Sequence, residues 1–268
     1  MIDCTDIRQL KGILKKYRLW AKKRFGQNFL VDKEVLSDII DAAALSVTDT
    51  VLEIGPGPGV LTTQLLPRVK KVIAVEIDAD ILPVLKETTH FFRDRLELIH
   101  GHILGINLPT PPYKVVANIP YHLTSPILRK VLVEAGDCRP TSITLLVQKE
   151  VGEKICHQQK KSILSLFVEA FGKAHIVRTV PASSFYPAPK VDSAILYISV
   201  ADTPNISVPP KKFFAAVKMG FSQPRKKIKH NLPQQILNKA EVDENLRAET
   251  LSLADWERIT RILFPEES

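Results

Sequence analysis

The chain has 268 residues, 45% hydrophobic and 25% charged, enough for one large domain or one domain with a small partner. No apolar run approaches the roughly 18 residues of a membrane span, and the N-terminus lacks an apolar leader core, so a soluble cytoplasmic protein is expected. Three widely spaced cysteines (Cys4, Cys138, Cys156) exclude a disulfide framework and a paired-cysteine zinc site, and no metal is expected.

The formal net charge is +8, and it is unevenly placed. Residues 8–24 carry eight basic side chains (Arg8, Lys11, Lys15, Lys16, Arg18, Lys22, Lys23, Arg24) and no acid. Next, an apolar strand at 51–54 runs into Gly55-Pro56-Gly57-Pro58-Gly59 and a helical stretch at 60–66. Such a turn brings bare backbone against a nucleotide-like ligand at the carboxyl end of a parallel strand, although glycines also make tight turns with no ligand. A strand at 71–77 follows and carries Glu76 near its end, where a carboxylate can accept both hydroxyls of a ribose. Then come a helix at 79–88, strands at 96–100 and 113–117, and the turn Asn118-Ile119-Pro120-Tyr121. A helix at 124–135, a strand at 143–148 and a helix at 150–171 complete the alternation. It predicts an α/β fold: a doubly wound, mostly parallel Rossmann-like sheet covered on both faces.

Two β-rich segments, 174–180 and 193–200, are expected to close the sheet as an antiparallel pair joined by the proline-rich loop 181–189. A linker at 201–210 precedes helical segments at 211–221, 228–238, 243–250 and 254–263. The division expected is 1–204 for the catalytic domain with its basic arm and 205–268 for a small helical domain. Residues 211–239 hold eight more basic groups (Lys211, Lys212, Lys218, Arg225, Lys226, Lys227, Lys229, Lys239) without an acid. The two blocks together carry sixteen positive charges, twice the net value, so the remaining body is net acidic by eight. Two basic blocks flanking an acidic body fit a polyanion, and RNA is the most economical one.

The glycine turn, the ribose carboxylate and the Asn-x-Pro-Tyr turn point to methyl transfer from S-adenosylmethionine to an amino nitrogen. An exocyclic adenine amine is a poor nucleophile because its lone pair is delocalised into the ring. Acceptors for both N–H bonds pull the nitrogen toward tetrahedral geometry. Asn118 supplies an amide oxygen, the Ile119 carbonyl a second acceptor, Pro120 a stiff turn and Tyr121 a ring face for the base.

The sequence resembles the bacterial ribosomal RNA small-subunit adenine N6-dimethyltransferases, the kasugamycin-sensitivity methyltransferases. The stretches that carry the resemblance are 24–30 (Arg-Phe-Gly-Gln-Asn-Phe-Leu), 53–57, 118–121, 148–150, 185–193 and the Arg225-Lys226-Lys227 region of 221–232. The resemblance implies dimethylation of N6 on two adjacent adenosines in a hairpin loop near the 3′ end of 16S RNA, in the immature 30S particle, with a role in subunit assembly. It adds Gln27, Asn28 and Leu30 to Gly55, Gly57, Glu76 and Asn118 as cofactor contacts, and Phe185 (with Tyr186 a weaker candidate) as a stacking platform for the flipped base. Arg24, Arg225, Lys226, Lys227 and Lys229 are the expected RNA contacts, and a monomer is expected. Three departures stand out. His102 follows Gly101 where the family has Asp; a neutral imidazole there would accept from the cofactor adenine, unless Asn107 or a backbone carbonyl does. Lys161-Ser162 replaces Tyr-Gly, and the arm before Arg24 is longer than the family motif requires. Two other readings keep the same fold: a large-subunit RNA adenine methyltransferase conferring antibiotic resistance, and a non-catalytic RNA-binding assembly factor.

Overall fold

The computed structural model describes residues 2–157 and 159–265, with the Lys23 side chain outside that description. Asp6 starts helix α1 (Ile7–Lys16) by accepting from Arg8 N at 2.7 Å and Gln9 N at 3.4 Å. Leu10, Ile13 and Leu14 line one face of α1 and are buried. The helix ends in a Schellman turn: Arg18 N donates to the Lys15 carbonyl at 3.0 Å and Leu19 N to the Leu14 carbonyl at 2.8 Å. The basic arm is therefore not a free extension. Lys16 pairs with Glu87 at 2.6 Å, and Lys22 pairs with Asp78 at 2.7 Å and Asp80 at 2.6 Å. Part of the arm's charge is thus spent on the acidic body.

A two-residue strand β1 (Phe29–Leu30) leads to helix α2 (Lys33–Ala42), which lies in a stretch given no element from sequence. Asp32 caps α2, and Val35, Leu36, Ile39 and Ile40 form its buried face. The alternation then unfolds as expected: β2 (Thr50–Ile54), a short α3 (Thr62–Leu65), β3 (Lys71–Glu76), α4 (Leu82–Thr88), β4 (Leu96–His100), β5 (Lys114–Asn118) and α5 (Thr124–Leu128). Helix α5 widens into a π turn over Arg129–Val133, and β6 (Ser142–Gln148) follows. The expected helix at 150–171 is two helices, α6 (Lys149–Cys156) and α7 (Ile163–Phe171). The polar run between them breaks the apolar period, and Ser162 restarts the helix through a reciprocal capping box with Ser165. Position 158 in that break lies outside the described residues.

Strands β7 (Gly172–Val180), β8 (Phe185–Tyr186) and β9 (Ser193–Val200) complete the set. The main sheet has the order β4-β3-β2-β5-β6-β9-β7, parallel except that β9 runs antiparallel to both β6 and β7. Strand order reverses between β2 and β5, the place where open α/β sheets bind ligands at their carboxyl ends. A second ribbon, β1 against β8, pairs Phe29 with Tyr186 and Leu30 with Phe185.

Beyond β9, Pro210 opens α8 (Pro210–Gly220); α9 (Gln234–Lys239) and α10 (Leu253–Leu263) follow. The expected helix at 228–238 begins instead with a 3₁₀ turn, Ile228–His230, because Pro233 cannot continue a helix from it. The expected segment at 243–250 keeps only the turn Ala248–Thr250. Apolar packing is continuous from the sheet into these helices: Phe214 meets Phe167 of α7 edge-on at 4.2 Å, and the buried Trp256 of α10 stacks on Phe221 at 5.8 Å. Gly220 is the contact that lets α8 approach α10, because a methyl group there would overlap the Trp256 ring. Gly220→Ala should therefore destabilise the fold by about 1–3 kcal/mol in urea denaturation, with cofactor affinity unchanged. An unshifted midpoint would show that the indole has room to move.

Candidate active site

The carboxyl ends of β2, β3, β4 and β5 open onto one cleft of about 1040 Å³, mouth included. It is lined by Gln27, Asn28, Leu30, Gly55, Gly57, Glu76, His102, Asn118, Pro120 and Tyr121. Ten residues from five separate stretches of sequence thus meet at one place. Gly55 has φ +69°, and a side chain at that point would meet no atom within 4 Å, so the turn presents bare backbone to open space. Gly57 has φ +54°, with the ring of Phe29 packed behind it.

Glu76 is almost fully buried, and its two oxygens are held by backbone donors, Gly57 N at 3.0 Å and Asp78 N at 2.8 Å. Burial raises its pKa, and the hydrogen bonds from Asp78 and Gly57 oppose the rise. Each carboxylate oxygen keeps a lone pair for a further donor. Beside it lies Glu53, which sequence reasoning left without a role. It is 1% exposed, its Oε2 has no hydrogen-bond partner among the described residues, and burial together with the nearby Glu76 charge pushes its pKa up to about 8. Thr62 at the start of α3 lies near enough to moderate that rise, yet its hydroxyl is also without a partner. The signal for Glu53 was present in the sequence as the single charge within an apolar strand. S-Adenosylmethionine carries a sulfonium, an ammonium and a ribose diol. A cleft with an unpartnered carboxyl, a second buried carboxylate and an open glycine cradle fits those groups.

Asn118 ends β5, and its Nδ2 donates to the Asn28 carbonyl at 3.0 Å. A carbonyl only accepts, so the nitrogen must face Asn28 and Oδ1 is left as an acceptor. The Tyr121 hydroxyl is tied to Ser193 Oγ at 2.6 Å, and burial raises the phenol pKa. Three other expected residues also make contacts within the fold. The Gln27 side chain is a strut, accepting from Lys22 N at 2.8 Å and donating to Asp78 at 3.2 Å. Asn28 turns its own side chain onto the Gly26 carbonyl at 3.2 Å, and Leu30 is buried. Phe25, not singled out from sequence, lines the mouth with the exposed Arg24 guanidinium over its ring at 4.6 Å.

Two expected residues sit in settings that the sequence does not show. Phe185 is 4% exposed and packs in the core, paired across the ribbon with Leu30 of the cleft wall. Adjacent residues of a strand face opposite sides, so with Phe185 turned in, Tyr186 faces out, half-buried. His102 lines the cleft, but its Nδ1 accepts from Leu104 N at 3.1 Å, capping a 3₁₀ turn. The free nitrogen of the neutral ring, Nε2, then carries the proton and donates; it cannot accept from an adenine amine. Asn107 is exposed. The basic loop after α8 sits apart from the cleft lining, with Arg225, Lys226 and Lys227 exposed and Lys229 paired to Glu244 at 3.0 Å.

The folded pKa of Glu53 lies above its unfolded value of 4.5, so its contribution to stability is complete below that pH and lost as pH rises through about 8. Between those limits the wild type should lose up to about 1.4 kcal/mol per pH unit relative to Glu53→Gln in urea denaturation. Parallel curves for the two proteins would mean that Glu53 is ionised in the fold.

A sequence profile described as Ribosomal RNA adenine dimethylase matches residues 18–264. Proteins named ribosomal RNA small subunit methyltransferase A are similar over nearly the whole length. One from Clostridium botulinum is 36% identical, covering 95% of this chain and 98% of the relative, and one from Dehalococcoides mccartyi is 38% identical, covering 94% and 91%. Among solved structures, a dimethyladenosine transferase from Plasmodium falciparum superposes with a TM-score of 0.73 at 27% identity, covering 86% of this chain and 95% of that one. The 23S rRNA methyltransferase ErmE gives 0.69 at 27% identity, covering 88% and 99%. With the glycine cradle, the Glu76 carboxylate and the Asn118 turn in one cleft, and the profile matched across them all, the chain belongs to the ribosomal RNA adenine dimethylase family, S-adenosylmethionine-dependent methyltransferases.

Proposed function

We propose that this enzyme places two methyl groups on N6 of each of two adjacent adenosines in a hairpin loop near the 3′ end of 16S RNA. In this reading it works as a cytoplasmic monomer on the immature 30S particle and contributes to its assembly. The observation that carries the reading is the orientation of Asn118, whose nitrogen is held by Asn28 so that its oxygen is free to accept from an amine. The names of the curated relatives support the small subunit as the source of that amine.

S-Adenosylmethionine, when bound, supplies a methyl group on a positively charged sulfur. The chain's own residues prepare the acceptor. Asn118 Oδ1 and the Ile119 carbonyl take the two N–H bonds of the adenine amine and localise its lone pair. Pro120 stiffens the turn just after them, and the anchored Tyr121 offers its ring face to the base. No strong general base is needed, since the nitrogen becomes acidic only after transfer. Gly55, Gly57, Glu76, Leu30 and the backbone of Gln27 and Asn28 enclose the donor side, while the helical segment 205–268 carries Arg225, Lys226, Lys227 and Lys229 toward RNA phosphates.

The structural likeness to a 23S rRNA methyltransferase gives the competing reading, a large-subunit target. Labelled methyl transfer onto unmethylated 30S particles, 50S particles and free RNA separates the two. Incorporation confined to 30S supports the proposal, incorporation into 50S overturns it, and none anywhere leaves an assembly factor without catalysis. Asn118→Ala should lower kcat by roughly a hundredfold or more, the effect of losing one aligned acceptor worth about 2.7–4 kcal/mol, with much of cofactor binding retained. Reversing charge at Arg225, Lys226 and Lys227 should flatten the salt dependence of particle binding by about 0.7–0.9 in log–log slope for each phosphate left without its cation. An unchanged slope moves the RNA footprint elsewhere.

A further inference from the structure

Helix α1 presents Arg8, Lys11 and Lys15 at spacings of three and four, so they share one exposed face opposite the buried Leu10, Ile13 and Leu14. The Schellman turn then places Arg18 and Trp20 beside that stripe. A groove runs from there to the outward side of the β1–β8 ribbon, lined by Lys11, Lys15, Arg18, Trp20, Tyr186 and Pro187. The Lys11 ammonium sits over the Tyr186 ring at 4.6 Å.

Three features of this groove call for a ligand. Trp20 is 72% exposed, whereas the only other tryptophan, Trp256, is fully buried. Arg18 holds φ +56° at the position of the turn where glycine is at ease, so a long cationic side chain is kept at the expense of backbone strain. Asp80, the carboxylate at the Trp20 end, is already paired with Lys22. An exposed indole beside Lys11, Lys15 and Arg18, which pair with no carboxylate among the described residues, matches a nucleic acid strand: bases stack on the ring while phosphates meet the cations. An acidic protein surface would satisfy the charges but leave the indole without a purpose.

The groove is also well placed. Tyr186 pairs across the ribbon with Phe29, next to Leu30 in the cleft wall, so a strand leaving the cleft meets the groove within one ribbon width.

We propose that this groove is a second docking surface for the substrate RNA, taking a single-stranded segment with one base stacked on Trp20 and its backbone along Lys11, Lys15 and Arg18. The proposal rests on the ribosomal RNA reading above. Protein-free, unmethylated 16S RNA contains no tryptophan, so titrating it into the full-length enzyme reads Trp20 by its emission against the buried Trp256. The expected result is quenching that saturates with RNA binding measured independently by filter retention. Trp20→Ala should weaken that binding roughly fivefold to a hundredfold, the range that base–aromatic stacking supplies, with calorimetric affinity for S-adenosylmethionine unchanged. Arg18→Gly should raise the thermal midpoint, because the left-handed strain is relieved, and at the same time lower RNA affinity and reduce its salt slope by about 0.7. That opposite movement separates a docking role from a merely structural one. RNA binding at full affinity with unquenched Trp20, or Arg18→Gly binding as tightly as wild type, overturns the groove while the RNA reading stands. Absence of any binding to the protein-free RNA overturns the groove, whereas the ribosomal RNA reading falls only if methyl transfer onto 30S particles is also absent.

Discussion

The site depends on burying carboxylates at the ends of parallel strands. Glu76 cannot leave water without donors, and the donors it finds are the amides of Gly57 and Asp78. Those two amides belong to the turns after β2 and β3, so one side chain fastens both walls of the donor half of the cleft. Asp78 in turn is held by Lys22, and Gln27 spans from Lys22 N to the other Asp78 oxygen. The arm before the sheet is thereby anchored to the same carboxylate cluster. Glu53 completes the group without a donor of its own and is kept neutral near physiological pH by its surroundings.

The sheet was legible because its strands are short apolar runs separated by helical periods, the pattern that buried parallel strands impose. The turns that line the cleft were legible for the same reason: glycine, glutamate and asparagine interrupt apolar runs at strand ends. What escaped the sequence reading was decided by contacts between distant residues. The β1–β8 ribbon joins two dipeptides more than 150 positions apart, and neither has a period of its own. Phe185 and Tyr186 are adjacent and both aromatic, so only the pairing with β1 decides which one turns inward. His102 shows a different limit. Its residue type permits an acceptor or a donor, and the choice is made by the Leu104 amide two positions on.

The basic blocks illustrate how little a charge count says about availability. In the first block Lys16 and Lys22 neutralise carboxylates of the body, and in the second Lys229 faces Glu244. The other described cations of the two blocks are spread over α1, α8, α9 and the segments that follow α1 and α8. Charges that look equivalent in sequence divide into those that hold the protein together and those left for a partner.

Asn118 has to face two ways at once. The Asn28 carbonyl behind it demands a donor, and in the proposed mechanism the adenine amine in front demands an acceptor. A carboxylate of the same shape would answer the amine but set oxygen against oxygen at its back; a hydroxyl is too short to span both. An amide is the side chain with opposite polarity at its two tips on a stem of this length. The identity of the residue is thus fixed jointly, by the neighbouring backbone at one tip and by the reaction at the other, and neither requirement alone would have selected it.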